Sequence, residues 1–200
     1  MNHLAHIFLS GSSDYVKIGN FIGDYIKGKK YKKYPPEIQK GIIMHRNIDN
    51  FTDNSDVPRR IKPLFSGYYG KYAGIITDVF YDHFLAVNWE HFSNIPLKDF
   101  VNRFYSILEN NQHILPRKVQ NFLPRMIEHD RIYSYKYFYG LEKALTIMSK
   151  HTSLPDYTTK AMSILSDNYS LINRNFMDFF PEIINFITEH YSVDIQKKAI

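Results

Sequence analysis

The chain has 200 residues, a formal net charge of +5 and a hydrophobic share of 44%, enough for one domain with a sizeable core. It has no cysteine, which excludes disulfides, thiolate nucleophiles and Cys-based zinc sites. Nine His and 20 Asp and Glu residues remain as ligands, a donor set that suits Mn²⁺, Mg²⁺ or Fe²⁺ and admits Zn²⁺.

In chain order, the sequence reads as helices punctuated by Pro and Gly. Residues 2–10 form a short helix that is apolar nearly all round, so His6 is expected to be partly buried. No basic n-region precedes it, and no apolar run reaches the roughly 18 residues of a membrane span. The expectation is a cytoplasmic protein with no membrane partner. A helix over 13–27 begins at a Ser-Asp cap and carries Tyr15, Ile18, Ile22, Tyr25 and Ile26 at helical spacing. Asn20 and Asp24 fall on its opposite, solvent side.

Residues 27–33, KGKKYKK, put Lys27, Lys29, Lys30, Lys32 and Lys33 together with no acid among them. Such a patch steers an acidic partner, or simply keeps a loop solvated. No nucleic-acid motif accompanies it, so no nucleic-acid partner is expected. Further basic groups are Arg59, Arg60 and Lys62, and Arg117, Lys118, Arg125 and Arg131. Pro35-Pro36 opens a helix that runs to about residue 52, Pro being at home in a first helical turn. A short helix or turn over 56–66 and a long helix over 71–92 follow. Helices over 97–110, 116–129 and 134–150 come next, and Pro155 starts the last stretch, where Pro181 marks a kink or a new helix. Without strand-like alternation, repeats or a low-complexity linker, the fold expected for 1–200 is a single all-α domain of roughly eight to ten helices.

Two of these helices carry chemistry. At about 100° per residue, Asp78 and Asp82 share a stripe with Ile75, Val79, Ala86 and Trp89. His83 faces the same apolar arc. His45 and Asp49 likewise fall beside Ile38, Ile42 and Ile48. A buried, unpaired carboxylate costs several kcal/mol, roughly 3–5 where a partner is missing, and two neighbouring carboxylates repel unless a cation separates them. Imidazole and carboxylate converging from separate helices is how a helical bundle holds a divalent metal. The ordinary alternative is an Asp or His that bonds to backbone or to a buried Tyr or Arg. The chain has no Gly-rich phosphate loop, GxSxG elbow or HExxH helix. The pattern therefore reads as a metal-dependent hydrolase.

At these residues the chain resembles the bacterial acyl carrier protein phosphodiesterases. The matching elements are NHLAH (2–6), GNFIGDYIKG (19–28), GIIMHRNID (41–49), TDN (52–54) and TDVFYDHFL (77–85). Their order and spacing agree, and the similarity is densest in the first 90 residues. The family is regarded as a divergent branch of the all-helical HD-domain phosphohydrolases. The resemblance implies hydrolysis of the phosphodiester that joins 4′-phosphopantetheine to the acceptor serine of holo-acyl carrier protein, with Mn²⁺ as the metal. It turns His6 and Asp24, which lie inside matching motifs, into metal ligands beside His45, Asp78 and Asp82. His3 stands where the family is expected to have an apolar or aromatic side chain and is not counted as a ligand. The adjacent His-Asp pair usual in HD enzymes is absent, since Asp82-His83 has the reverse order.

The mechanism this implies uses the metal to activate water and polarise the phosphoryl group. Asp49 or His83 would transfer protons or orient a metal ligand, and Arg46 would neutralise phosphate charge. Acyl carrier protein is small, acidic and helical, so the Lys27–Lys33 patch would be its docking surface. Two readings compete: an HD-type hydrolase of a nucleotide or other small phosphoester, and a non-enzymatic helical binding protein with an inert polar network.

Overall fold

A computed structural model describes residues 1–195 as an all-α domain without strands, containing thirteen α-helical segments, several of one turn only. α1 (His3–Leu9) is buried almost all round. α2 (Asp14–Phe21) starts where the Ser13 side chain accepts from the Val16 N–H. Two 3₁₀ turns, Gly23–Tyr25 and Gly28–Lys33, lead to α3 (Pro36–Asn54), which opens with Pro in its first turn. Then follow α4 (Asp56–Arg59), α5 (Pro63–Tyr69), α6 (Ala73–Val87), α7 (Trp89–Phe92) and α8 (Leu97–Asn110). α9 (Arg117–Glu128), α10 (Arg131–Ser134), α11 (Phe138–His151), α12 (Thr158–Asp167) and α13 (Tyr169–Tyr191) complete the chain.

Three boundaries depart from the sequence expectation. The helix expected over 13–27 stops at Phe21, because the chain must turn at Gly23, which lies flat against the His45 ring. The 56–66 segment divides into α4 and the start of α5. The helix expected over 71–92 breaks at Asn88, whose side chain turns back to donate to the Phe84 carbonyl at 2.8 Å. Of the kink or new helix expected at Pro181, the new helix is excluded, since α13 runs on through it. Two side chains placed on buried stripes, Tyr15 and Ile75, are exposed.

The core is aromatic. Phe176, Phe179 and Phe180 of α13 are fully buried and meet Phe8 of α1, Tyr81 and Phe84 of α6, and Phe92 of α7. Each such side chain contributes about 1.5–3 kcal/mol through burial. A buried polar tie joins three elements: Tyr81 donates to the Asn175 side-chain carbonyl, and Asn175 donates to the Val57 carbonyl at 2.7 Å.

One helix contact sets up everything that follows. α2 and α3 cross with their backbones touching. A Cβ on Gly41 would lie 2.3 Å from the Val16 carbonyl oxygen, and one on Gly19 would lie 2.2 Å from that of Ile38. Only two glycines permit that approach. It brings Asn20, Gly23 and Asp24 against the stretch of α3 that carries His45 and Asp49. Among the described residues, no helix is long and apolar enough to cross a membrane.

Candidate metal centre

His6 of α1 and His45 and Asp49 of α3 each offer a ligand atom, and the three atoms lie within 4.8 Å of one another. His45 and Asp49 are one helical turn apart and so share a face. The two imidazoles stack with centroids 4.1 Å apart. His6 Nε2 is 3.2 Å from one Asp49 oxygen, and His45 Nε2 is 3.2 Å from the other. Asp24, on the 3₁₀ turn after α2, places a carboxylate oxygen 3.3 Å from the same His45 nitrogen. Both imidazoles are buried, while the Asp49 and Asp24 side chains are 40% and 67% exposed. The cluster is therefore walled on the imidazole side and open to solvent on the carboxylate side.

The hydrogen bonds fix how His6 is presented. The Asn20 amide nitrogen donates to the His6 carbonyl and to Ser10 Oγ, both at 2.9 Å, and Ser10 in turn donates to the His6 carbonyl. Asn20 Oδ1 is left to accept from His6 Nδ1 at 2.7 Å. The proton of a neutral His6 therefore sits on Nδ1, and Nε2 carries the lone pair. That lone pair faces the Met1 carbonyl oxygen at 3.1 Å and the Asp49 carboxylate, both of which are acceptors. Burial and the neighbouring His45 lower the His6 pKa against the pull of Asp49, so a second proton is disfavoured there.

His45 shows the same demand for positive charge. Its approaches to Asp24 and Asp49 lack hydrogen-bond angles, and both of its ring nitrogens are buried without a hydrogen-bond partner. Burial alone would lower its pKa, but the two carboxylates outweigh burial and push it up to about 9. The His45 interaction holds Asp24 down at about 2 despite its partial burial. Burial opposes ionisation of Asp49 too, yet His45 and His6 together hold it far below the usual carboxylate range. Two imidazole nitrogens and two carboxylates thus converge from α1, α3 and the turn after α2. A divalent ion accepting His6 Nε2, His45 Nε2 and the Asp49 and Asp24 oxygens fits that donor set.

The other residues singled out from the sequence lie elsewhere. Asp78 is at the edge of the cluster: one oxygen is 2.9 Å from the Met1 amino group, whose pKa burial would lower but Asp78 and Asp49 raise. Asp82 is fully buried, and its two oxygens accept from the Leu4 and Ala5 N–H groups at 2.7 and 3.1 Å. It closes the N-terminus of α1, where Asn2 makes no side-chain cap. Burial raises its pKa to about 7, against the two backbone donors. His83 is buried between the Tyr135 carbonyl at 2.8 Å and the Tyr169 hydroxyl at 2.9 Å, with no contact to the cluster. Arg46 points away from it, donating to the Ile26 and Gly28 carbonyls at 2.8 and 2.9 Å and lying over the Tyr31 ring.

The geometry adds residues that the pattern did not single out. Asn20 is completely buried, not on a solvent face. Gly23 is obligatory in its place, since a Cβ there would lie 2.3–2.6 Å from His45 ring and Cβ atoms. His3 packs on Phe21, and burial lowers its pKa to about 4 while Asp24 acts in the opposite direction.

A family model described as acyl carrier protein phosphodiesterase matches residues 1–183. The chain belongs to this family. Acyl carrier protein phosphodiesterase is also the name of similar proteins from enterobacteria. One from Salmonella paratyphi A is 30% identical over 192 residues, covering 92% of this chain and 96% of that protein. One from Yersinia pestis is 38% identical over 107 residues, 53% of this chain and 55% of that protein. A third, from Yersinia enterocolitica, is 34% identical over 122 residues, 60% of this chain and 63% of that protein. No solved structure matches. The span shared with the acyl carrier protein phosphodiesterase model contains every residue of the cluster and ends inside α13.

Proposed function

We propose that this chain hydrolyses the phosphodiester between 4′-phosphopantetheine and the acceptor serine of holo-acyl carrier protein, releasing the apo-protein and 4′-phosphopantetheine. The observation that carries the reading is the convergence of His6, His45 and Asp49 within 4.8 Å in a member of the acyl carrier protein phosphodiesterase family. His6, His45, Asp49 and Asp24 would hold a divalent ion, Mn²⁺ in the first place and Mg²⁺, Fe²⁺ or Zn²⁺ as alternatives. Bound there, the ion would polarise a phosphoryl oxygen and acidify water.

The chain's own residues divide the remaining work. Asn20 holds His6 with Nε2 turned to the cluster. Asp49, held ionised between two imidazoles, suits a ligand and is a poor proton acceptor. His83 is too far committed elsewhere to transfer protons, so neither residue keeps the acid–base role that the sequence implied. His45 and Asp49, one turn apart on α3, take the part of the His-Asp pair in this divergent HD-domain scheme. Arg46 and Gln39 brace the lysine loop from α3, Gln39 donating to the Lys32 and Tyr34 carbonyls. Lys27, Lys29, Lys30, Lys32 and Lys33 are all exposed, and the loop begins three residues after Asp24. An acidic carrier protein docking there would bring its prosthetic group to the open, carboxylate side of the cluster.

The test is to add Mn²⁺ and holo-acyl carrier protein to the metal-stripped protein and follow the carrier's mass. Loss of the phosphopantetheine group that requires the metal and disappears in Asp49→Ala supports the reading. An unchanged mass with Mn²⁺ shown to be bound overturns it and turns the search to small phosphoesters.

A further inference from the structure

Beside the cluster runs a second row of residues. Asp53 follows Asp49 by four positions on α3, about 6 Å of helix rise, and Gly74 precedes Asp78 by four positions on α6. Asp49 and Asp78 flank the same residue: Asp78 is 2.9 Å from the Met1 amino group, and the Met1 carbonyl and Asp49 lie 3.1 and 3.2 Å from His6 Nε2. Asp53 and Gly74 are neighbours: a Cβ on Gly74 would meet Asp53 Oδ1 at 3.9 Å and the Lys62 Cε and Nζ at 3.6 Å. Along α3, Asp49 therefore stands at one level and Asp53, with Lys62 against it, at the next. Lys62 comes from the turn before α5 and reaches Asp53 at 3.2 Å.

This ion pair does little for the fold. The Asp53 side chain is 72% exposed and that of Lys62 26%, and exposed pairs contribute about 0–1 kcal/mol. What the pair achieves is position. It holds a partly buried ammonium, with three donors, on Asp53, the carboxylate one helical turn along α3 from Asp49. The absence of a side chain at residue 74 leaves the ammonium uncovered.

We infer that Lys62, held by Asp53, binds a non-bridging oxygen of the substrate's phosphoryl group when its phosphorus lies at the cluster. The inference rests on the phosphodiesterase reading for the identity of the substrate, but phosphate binding tests it separately. A compact point charge with three donors is well suited to a phosphate oxygen, and a charge-assisted bond of this kind is worth about a ten- to hundredfold change in affinity.

The experiment titrates inorganic phosphate into the Mn²⁺-loaded wild type and its Lys62→Met, Lys62→Gln, Lys62→Arg and Lys71→Met variants by calorimetry. Mn²⁺ affinity is measured in parallel by equilibrium dialysis, and turnover of holo-acyl carrier protein by mass. Lys71 lies over the Tyr72 ring and controls for loss of one positive charge. Expected are about a ten- to hundredfold weaker phosphate affinity in Lys62→Met and Lys62→Gln, near-normal binding in Lys62→Arg and Lys71→Met, and unchanged Mn²⁺ affinity throughout. Equal phosphate binding by wild type and Lys62→Met overturns the inference. So does a loss that merely follows loss of Mn²⁺, or a wild type that binds no phosphate. Lys62-dependent phosphate binding without turnover of holo-acyl carrier protein upholds the inference and sinks the substrate reading. Undiminished turnover in Lys62→Met does the reverse.

Discussion

Asn20 Oδ1 accepts from His6 Nδ1 at 2.7 Å, and the two N–H donations that fix the Asn20 amide leave it no other orientation. The ring nitrogen that faces Asp49 is thereby the one able to bind a metal. Replacing Asn20 removes that control, and such supporting partners commonly govern about ten- to a hundredfold in metal affinity. Asn20→Ala is expected to lower Mn²⁺ affinity by that factor, read by equilibrium dialysis on protein whose helical circular dichroism is intact. Unchanged affinity would show that Asn20 serves the α1–α2 contact alone.

Gly23 makes the corresponding prediction for Asp24. The clash distances of 2.3–2.6 Å to His45 cannot be met without moving the turn or the imidazole. Gly23→Ala should separate Asp24 from His45 and lower Mn²⁺ affinity at least about tenfold, the scale of one lost charge-assisted contact. A Gly67→Ala control, with open space at its Cβ, should leave affinity unchanged. Equal affinities for the two variants would count against Asp24 as a ligand.

Which parts of this were legible in the sequence follows from the physics of each signal. Helical periodicity with Pro and Gly punctuation placed the long elements, because amphipathic stripes and first-turn prolines are local properties. His45 and Asp49 were readable for the same reason: four residues on one continuous helix define a face. Asp24 was legible only as the exposed residue it is, its side chain 67% exposed, because α2 ends at Phe21 and a helical wheel extended past that point says nothing of its approach to His45. The close crossing at Gly19 and Gly41, which makes Asn20 a buried residue, is a tertiary contact without a periodic trace. What pointed to Asp24 as a candidate ligand was the match of GNFIGDYIKG to a known family, not the pattern. Asp82 and His83 show the reverse error. Their placement on a buried face was right, but a buried face has more than one polar customer, and theirs are the N-terminus of α1 and the Tyr135–Tyr169 pair.

Asp82 therefore belongs to stability more than to chemistry. Its two oxygens satisfy two of the N–H groups that a helix start leaves open, and its charge lies at the positive end of α1. Asp82→Asn keeps one acceptor and turns an amide N–H toward the other donor, leaving a buried N–H unsatisfied. The expected cost is about 1–3 kcal/mol, read as a lower midpoint in urea with an unchanged slope. Mn²⁺ affinity of the folded variant should stay within a few-fold of wild type. A large loss of affinity with no loss of stability would return Asp82 to the metal site.

Arg46 separates docking from chemistry. Its guanidinium is spent on the Ile26 and Gly28 carbonyls and the Tyr31 ring, so its removal loosens the lysine loop without unbinding a ligand. Arg46→Met is expected to raise KM for holo-acyl carrier protein about three- to tenfold, the scale of one or two hydrogen bonds, with kcat nearly unchanged. Replacing Lys29, Lys30, Lys32 and Lys33 together should raise KM further and flatten its dependence on ionic strength, because screened charge–charge steering is what salt weakens. The steepest contrast with wild type should appear at low salt. A fall in kcat at constant KM would place Arg46 on the reacting phosphate after all, and a KM indifferent to both the lysines and salt would remove the loop from the docking surface.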